Sequence, residues 1–279
     1  MHPRPHAAAH RAAAVTLAVL ALGASQAAQA HISYTGRNLG SFSGLAAGTT
    51  TLANQAATGN FGWADATDAD YGDSHKSRAF RFSLANEAVV TITVASKADA
   101  TPASLGGLLP GFSVYRGLVH LSPAPADYDF AAVTAAYLAA SFPNGSGGTT
   151  QEGAWNALGD WKVGNDAGTT FADLTSLAFR GYAVDGSAAN FGNAPGVVGD
   201  GTADGQVTGT FRLAAGDYSL FVGGADYAAQ DLANPNVASA YGMRVTLAVA
   251  AVPEPETIAL FAAGLAFVGA ARARRARRT

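Results

Sequence analysis

Four aspartates, Asp65, Asp68, Asp70 and Asp73, fall within nine residues of one another. Calcium takes about six to eight oxygen ligands, and a tight loop can converge carboxylates and carbonyls on one ion. Calcium is therefore the cofactor this loop suggests. The spacing departs from an EF-hand, because Gly72 stands where a ligand is required and no glutamate closes the loop. The competing reading is a solvated turn whose Asp side chains bond their own backbone, and the missing closing ligand favours it. Asp200-Gly201 and Asp204-Gly205 form a second acidic loop, read most simply as two turns. Trp63 precedes the first loop, and Trp155 and Trp161 flank residues 156–160. Exposed on one face, these rings would stack on sugars and make a glycan-binding module; buried, they would anchor a core.

A different chemistry is available at His31. If a signal peptidase cuts after Ala30, the new amine and the His31 imidazole can chelate copper(II), with His75 or His120 as a further ligand. That arrangement would make a copper oxidoreductase, and a cut after Ala27 would abolish it. Hydrolytic chemistry has less to stand on. Ser74 and His75 are adjacent, so their side chains point apart. No Gly-x-Ser-x-Gly elbow or phosphate-binding glycine loop occurs. With no cysteine, the chain has no disulfide framework, zinc knuckle, iron–sulfur site or thiol nucleophile. No enzyme is expected.

The two ends of the 279-residue chain are addresses. Arg4 and Arg11 precede an apolar run over residues 12–24, too short to span a bilayer core, and Ala28-Gln29-Ala30 supplies the small residues a signal peptidase accepts. Residues 1–30 thus read as a signal helix. At the other end, Val252, Pro253, Glu254 and Pro255 form an extended spacer, because proline excludes regular helix and central strand. An apolar helix is expected over residues 258–271, followed by Arg272, Arg274, Arg275, Arg277 and Arg278. Such a basic cluster holds its end in the cytoplasm. Without these ends the chain carries 10 basic and 18 acidic residues, a balance that argues against nucleic acid as a partner.

The order of Val252-Pro253-Glu254-Pro255, apolar helix and terminal arginines resembles the PEP-CTERM sorting signal of Gram-negative bacteria. The resemblance implies that an exosortase recognises residues 251–279 and cuts near the Pro-Glu-Pro. It implies transient anchoring at the inner membrane, then passage of the body to the cell surface or an exopolysaccharide matrix. A structural or adhesive role in a biofilm layer is the expectation that follows, with exosortase, signal peptidase and exopolysaccharide as partners.

Residues 31–250 must form the body. Phe80, Phe82 and Leu84 alternate with polar or small residues, as do Val90, Ile92 and Val94, while Tyr218, Leu220 and Val222 share a face. Tyr241, Met243, Val245, Leu247 and Val249 repeat the pattern. Phe112 with Val114, Leu177 with Phe179 and Tyr182, and Val207 with Phe211 and Leu213 suggest further strands. Period-two alternation between Gly, Asn and Asp clusters predicts an all-β antiparallel sandwich or jelly roll. A turn at Gly216-Asp217 is expected to close a hairpin, and a short surface helix is expected over residues 127–141. Residues 209–222, and Phe80 to Val94 followed by Phe112 to Arg116, resemble the pre-peptidase C-terminal β-sandwich type, whose members are accessory domains often binding calcium or glycans.

Overall fold

Strands that bury every second residue need another layer to cover them. The computed structural model shows how this chain supplies it. It describes residues 32–64, 71–73, 76–119, 154–163, 175–191, 196–227, 239–252 and 264–266. The strands are β1 (Asn38–Phe42), β2 (Gly48–Thr58), β3 (Tyr71–Asp73), β4 (Arg78–Leu84), β5 (Ala88–Ser96), β6 (Pro110–Arg116), β7 (Ala154–Asn156), β8 (Trp161–Val163), β9 (Thr175–Val184), β10 (Gln206–Leu213), β11 (Gly216–Gly224) and β12 (Ala240–Ala251). They form a six-stranded sheet in the order β1-β4-β11-β6-β9-β8, a four-stranded sheet in the order β10-β5-β12-β2, and a small β3-β7 ribbon. The expected all-β sandwich is what the chain builds. All pairings are antiparallel except β1 with β4. The expected helix over 127–141 and the signal helix lie outside the described residues.

Gly216-Asp217 does not close a hairpin. Ala214 and Ala215 carry the chain from one sheet to the other: β10 pairs with β5, whereas β11 pairs with β4 and β6. The β4–β5 connection makes the same crossing. Both corners let neighbouring strands face each other across the core, so Leu213 and Tyr218 enter it from opposite sheets. Tyr218 secures its corner by donating from its hydroxyl to the Ala214 carbonyl at 2.6 Å.

The core between the sheets gathers the alternating residues, Phe80, Phe82 and Leu84 from β4, Val90, Ile92 and Val94 from β5, Tyr218, Leu220 and Val222 from β11, and Met243, Val245, Leu247 and Val249 from β12. The Phe82 and Tyr218 rings stack at 5.1 Å. The other face of the six-stranded sheet is covered as well. Tyr115, Leu177, Val184 and Phe221 point away from the sandwich into a second core with Ile32, Tyr34, Trp63, Trp155 and Phe191. Strand β9 serves this second core across a bulge. Its register against β6 slips between Val114 and Tyr115, where Gly181 has φ +145°. The slip puts Leu177 and Phe179 on the same face as Tyr182 and Val184, although their spacing changes parity.

The solvent face of the four-stranded sheet carries aligned threonines. Thr208, Thr93, Thr246 and Thr51 form one row across all four strands. Thr93 and Thr208 hydroxyls meet at 2.9 Å, Thr51 and Thr246 at 3.0 Å, and Thr91 and Thr210 in the next row at 3.1 Å.

Candidate functional site

Two of the three tryptophans are interior. Trp63 and Trp155 are both 0% exposed, so neither ring offers a face to a glycan, which corrects the stacking platform expected for them. Glycines explain their burial. A Cβ on Gly111 would lie 2.5 Å from Trp63 Cδ2, and one on Gly72 would lie 2.4 Å from Trp155 Cε2. Each bare backbone is a flat seat on which an indole lies. Trp63 Nε1 donates to Ser113 Oγ at 2.9 Å, and the Ser113 hydroxyl in turn donates to the Ala157 carbonyl at 2.6 Å. Trp63 also meets the Tyr182 ring at 5.5 Å, and Trp155 packs on Phe221 at 5.2 Å. Trp161 lies on β8, and its side chain is outside the described residues.

The acidic loop is represented by Asp73 alone, at the end of β3; Asp65, Asp68 and Asp70 lie outside the described residues. The Asp73 amide donates to the Gly62 carbonyl, and its own carbonyl accepts from the amides of Lys76 and Ser77. These bonds tie the β3–β4 link to the Trp63 segment. His31, His75 and His120 are also outside the described residues. Among the described residues, no three His, Asp or Glu side chains gather in a way that would hold a metal ion.

The second acidic loop is more structured than paired turns. Asp200 Oδ1 accepts from the Thr202 amide at 3.2 Å, and Asp204 Oδ1 from the Gln206 amide at 3.0 Å, as turns require. Both wrap around Asp185, a buried carboxylate just past β9. Its Oδ1 accepts from the Asp204 amide at 3.1 Å and its Oδ2 from the Gly205 amide at 2.7 Å. Burial raises the Asp185 carboxyl to about 6, against the pull of those two amides and with Asp200 and Asp204 adding to the rise. The Asp185-Gly186 pair reads in sequence as another turn, and nothing local marks its burial. The same holds for Tyr34, whose hydroxyl meets Ser219 Oγ at 2.6 Å beneath the second core and accepts from the Val119 amide at 3.0 Å.

The sorting segment begins where the fold ends. Strand β12 lies inside its sheet, between β5 and β2, and its last pair is Ala251 with Ala88. Val252 follows, half-buried. Pro253, Glu254, Pro255 and the five arginines, Arg272, Arg274, Arg275, Arg277 and Arg278, lie outside the described residues. Residues 264–266 are helical and exposed. Among the described residues no helix is long and apolar enough to cross a membrane.

Residues 251–276 match the family model of the PEP-CTERM protein-sorting motif. No curated protein matches the chain. Among solved structures it is similar to CorA of Methylomicrobium album BG8, a surface-associated copper-binding protein, at 16% identity and a TM-score of 0.41, covering 80% of this chain and 99% of that one. It is also similar to the secreted protein MopE of Methylococcus capsulatus, in which an oxidised tryptophan facilitates copper binding, at 16% identity and a TM-score of 0.39, covering 76% and 87%. Likeness at that level says nothing of what this chain binds. The sorting segment is identified where the sequence places it: the chain ends in a PEP-CTERM motif that starts at the last residue of its last strand.

Proposed function

We propose that this chain is an exported, non-enzymatic surface protein, held briefly at the inner membrane by its tail and freed by an exosortase. Its body then serves a structural or adhesive role in an exopolysaccharide or biofilm layer. The observation that carries the reading is the sorting motif at residues 251–276, abutting β12. A cut near Pro253 removes the tail and leaves every strand whole. A body closed by two apolar cores, with Trp63 and Trp155 inside, suits a scaffold better than an aromatic glycan platform. Changing Pro253→Ala together with Pro255→Ala in the native host tests the sorting. Full-length chain should accumulate in the membrane fraction; release at the unmodified level would overturn the reading. The matrix role predicts that the freed body pellets with purified exopolysaccharide and stays soluble without it. Calcium at Asp65, Asp68, Asp70 and Asp73 is tested by calorimetric titration of the freed body, with Asp68→Ala expected to abolish any heat.

A further inference from the structure

The sandwich has a side where β1 is the edge of one sheet and β2 the edge of the other. The two strands approach there: a Cβ on Gly40 would lie 3.6 Å from Thr50 Oγ1. Two half-buried arginines come together on this side, Arg37 just before β1 and Arg78 at the start of β4. Arg78 donates from Nη2 to Thr58 Oγ1 at 2.9 Å and from Nη1 to the Ser77 carbonyl at 2.8 Å. Arg37 donates from Nε to the Ala79 carbonyl at 3.1 Å, and from Nε and Nη2 to the Ser33 carbonyl at 3.2 and 2.8 Å. Arg78 makes further contacts, so the open edge is that of Arg37. The bonds to Ser33 and Ala79 fix its guanidinium and leave Nη1 with no acceptor among the described residues. That amine is not sealed from solvent.

A bulge shapes the other wall. Between the pairs Leu52 with Val245 and Gln55 with Met243, β2 carries one residue more than β12. Such an insertion re-aims the side chains around it. Gln55 Nε2 donates to the Gly36 carbonyl at 3.4 Å and to Asn54 Oδ1 at 3.1 Å. Gln55 thus stands beside the Arg37 segment, as Thr58 stands beside Arg78, and Asn54 is exposed next to them. Gly36, at φ +70°, has open space where a side chain would be.

Two like charges drawn partly out of water repel each other more strongly than they would in it. Burial first, and Arg37 second, push Arg78 down to about 10, and burial pushes Arg37 down as well. Two described acidic groups lie toward this end of β2, and each has its own partner: Asp73 acts on Lys76, and Asp226 accepts from Asn60 Nδ2 at 3.4 Å. An oxyanion against the arginines offsets the repulsion, and the edge of a guanidinium matches the paired oxygens of a carboxylate or sulfate. We infer that this side of the sandwich binds the carboxylate or sulfate of an acidic sugar chain, with Arg37 Nη1 and Arg78 on the oxyanion and Asn54, Gln55 and Thr58 beside the sugar hydroxyls. The inference rests on the matrix reading and names the class of polysaccharide that the body holds. Amide and hydroxyl groups around a fixed guanidinium supply the hydrogen bonds that a sugar needs without an aromatic platform.

Tail-bearing chain in mild detergent, passed over immobilised polygalacturonate, dextran sulfate and dextran at physiological ionic strength, tests the site. Retention is expected on a charged polymer and not on neutral dextran; polygalacturonate against dextran sulfate tells carboxylate from sulfate. Arg37→Gln and Arg78→Gln should each weaken that retention about tenfold or more, as for the loss of a hydrogen bond to a charged group. Arg244→Gln makes the same change of charge on the exposed face of β12 and should have little effect. Retention on neither charged polymer would overturn the proposal. So would an equal loss in Arg244→Gln, which would reduce the binding to bulk charge. Melting temperatures show whether the variants fold. If they do not, the unaltered protein decides: the Nε–H resonance of Arg37 should shift on titration with an acidic trisaccharide of the retained type, and a resonance that stays in place would overturn the site. Pelleting with the host's exopolysaccharide separates the two layers of inference. Protein that pellets equally well with Arg37→Gln in place keeps the matrix reading and loses the site; arginine-dependent retention without pelleting keeps the site and loses the matrix reading.

Discussion

Glycine against indole is the contact that decides what the tryptophans do. Gly111→Ala would push a methyl into Trp63, and overpacking of this kind costs about 1–3 kcal/mol. Trp63→Ala removes the ring itself and should cost about 3–5 kcal/mol. Urea denaturation of the purified body reads both as lowered midpoints; a Trp63→Ala protein as stable as the parent would mean the ring is not core. Asp185 gives a pH signature of defined sign. Its folded-state value of about 6 lies above the ordinary carboxylate value of 3.8. The folded state therefore holds this proton more tightly than the unfolded one. Its contribution is complete below the ordinary value and is lost as pH rises through about 6. Urea midpoints should fall across that window in the parent and flatten in Asp185→Asn. Neither behaviour was legible in the sequence. The aromatic residues were visible as such, but their seats, Gly111 and Gly72, come from other strands, and Asp185 looks like any turn residue until the loop carrying Asp204 and Gly205 folds over it.

Strands were legible where large apolar residues recur at every second position, as in β4, β5, β11 and β12. Strand β2 was not, because GTTTLANQAAT buries mostly small side chains at the edge of its sheet. The Gly216-Asp217 turn reads as a hairpin, and the chain instead turns a corner at Ala214-Ala215, because a tight turn between two strands is the same local sequence in both cases. Pairing with β5 on one side and β4 on the other makes the difference, and no window around the turn contains those partners. The bulge in β9 is the element most open to test. At Gly181, φ is +145° and an added Cβ would stand 2.7 Å from Phe211 Cε1. Gly181→Val should straighten the strand or break its register, moving Tyr182 off the second core, and the melting temperature should fall accordingly. An unchanged melting temperature would show that the bulge is dispensable. The threonine rows make smaller contributions. Thr93→Ala breaks one cross-strand hydroxyl pair and should cost up to about 1 kcal/mol in urea denaturation.

For the molecule as a whole, the sorting tail was the most legible part, because it is read as a linear string and needs no fold to be recognised. The body's role was not, since alternating hydrophobics describe any sandwich. What the fold adds is the boundary between body and tail. Strand β12 lies between β5 and β2 and supplies Met243, Val245, Leu247 and Val249 to the core. Chain ending at residue 252 should keep the melting temperature of the tail-bearing form, whereas chain ending at residue 239 should show no cooperative transition by circular dichroism. Intact mass of the protein recovered from the surface fraction of its native host bears on the sorting itself. Exosortase processing predicts a body whose mass corresponds to cuts after Ala30 and near Pro253. A mass retaining residues 258–279 would mean a permanently anchored protein and would contradict release to the matrix.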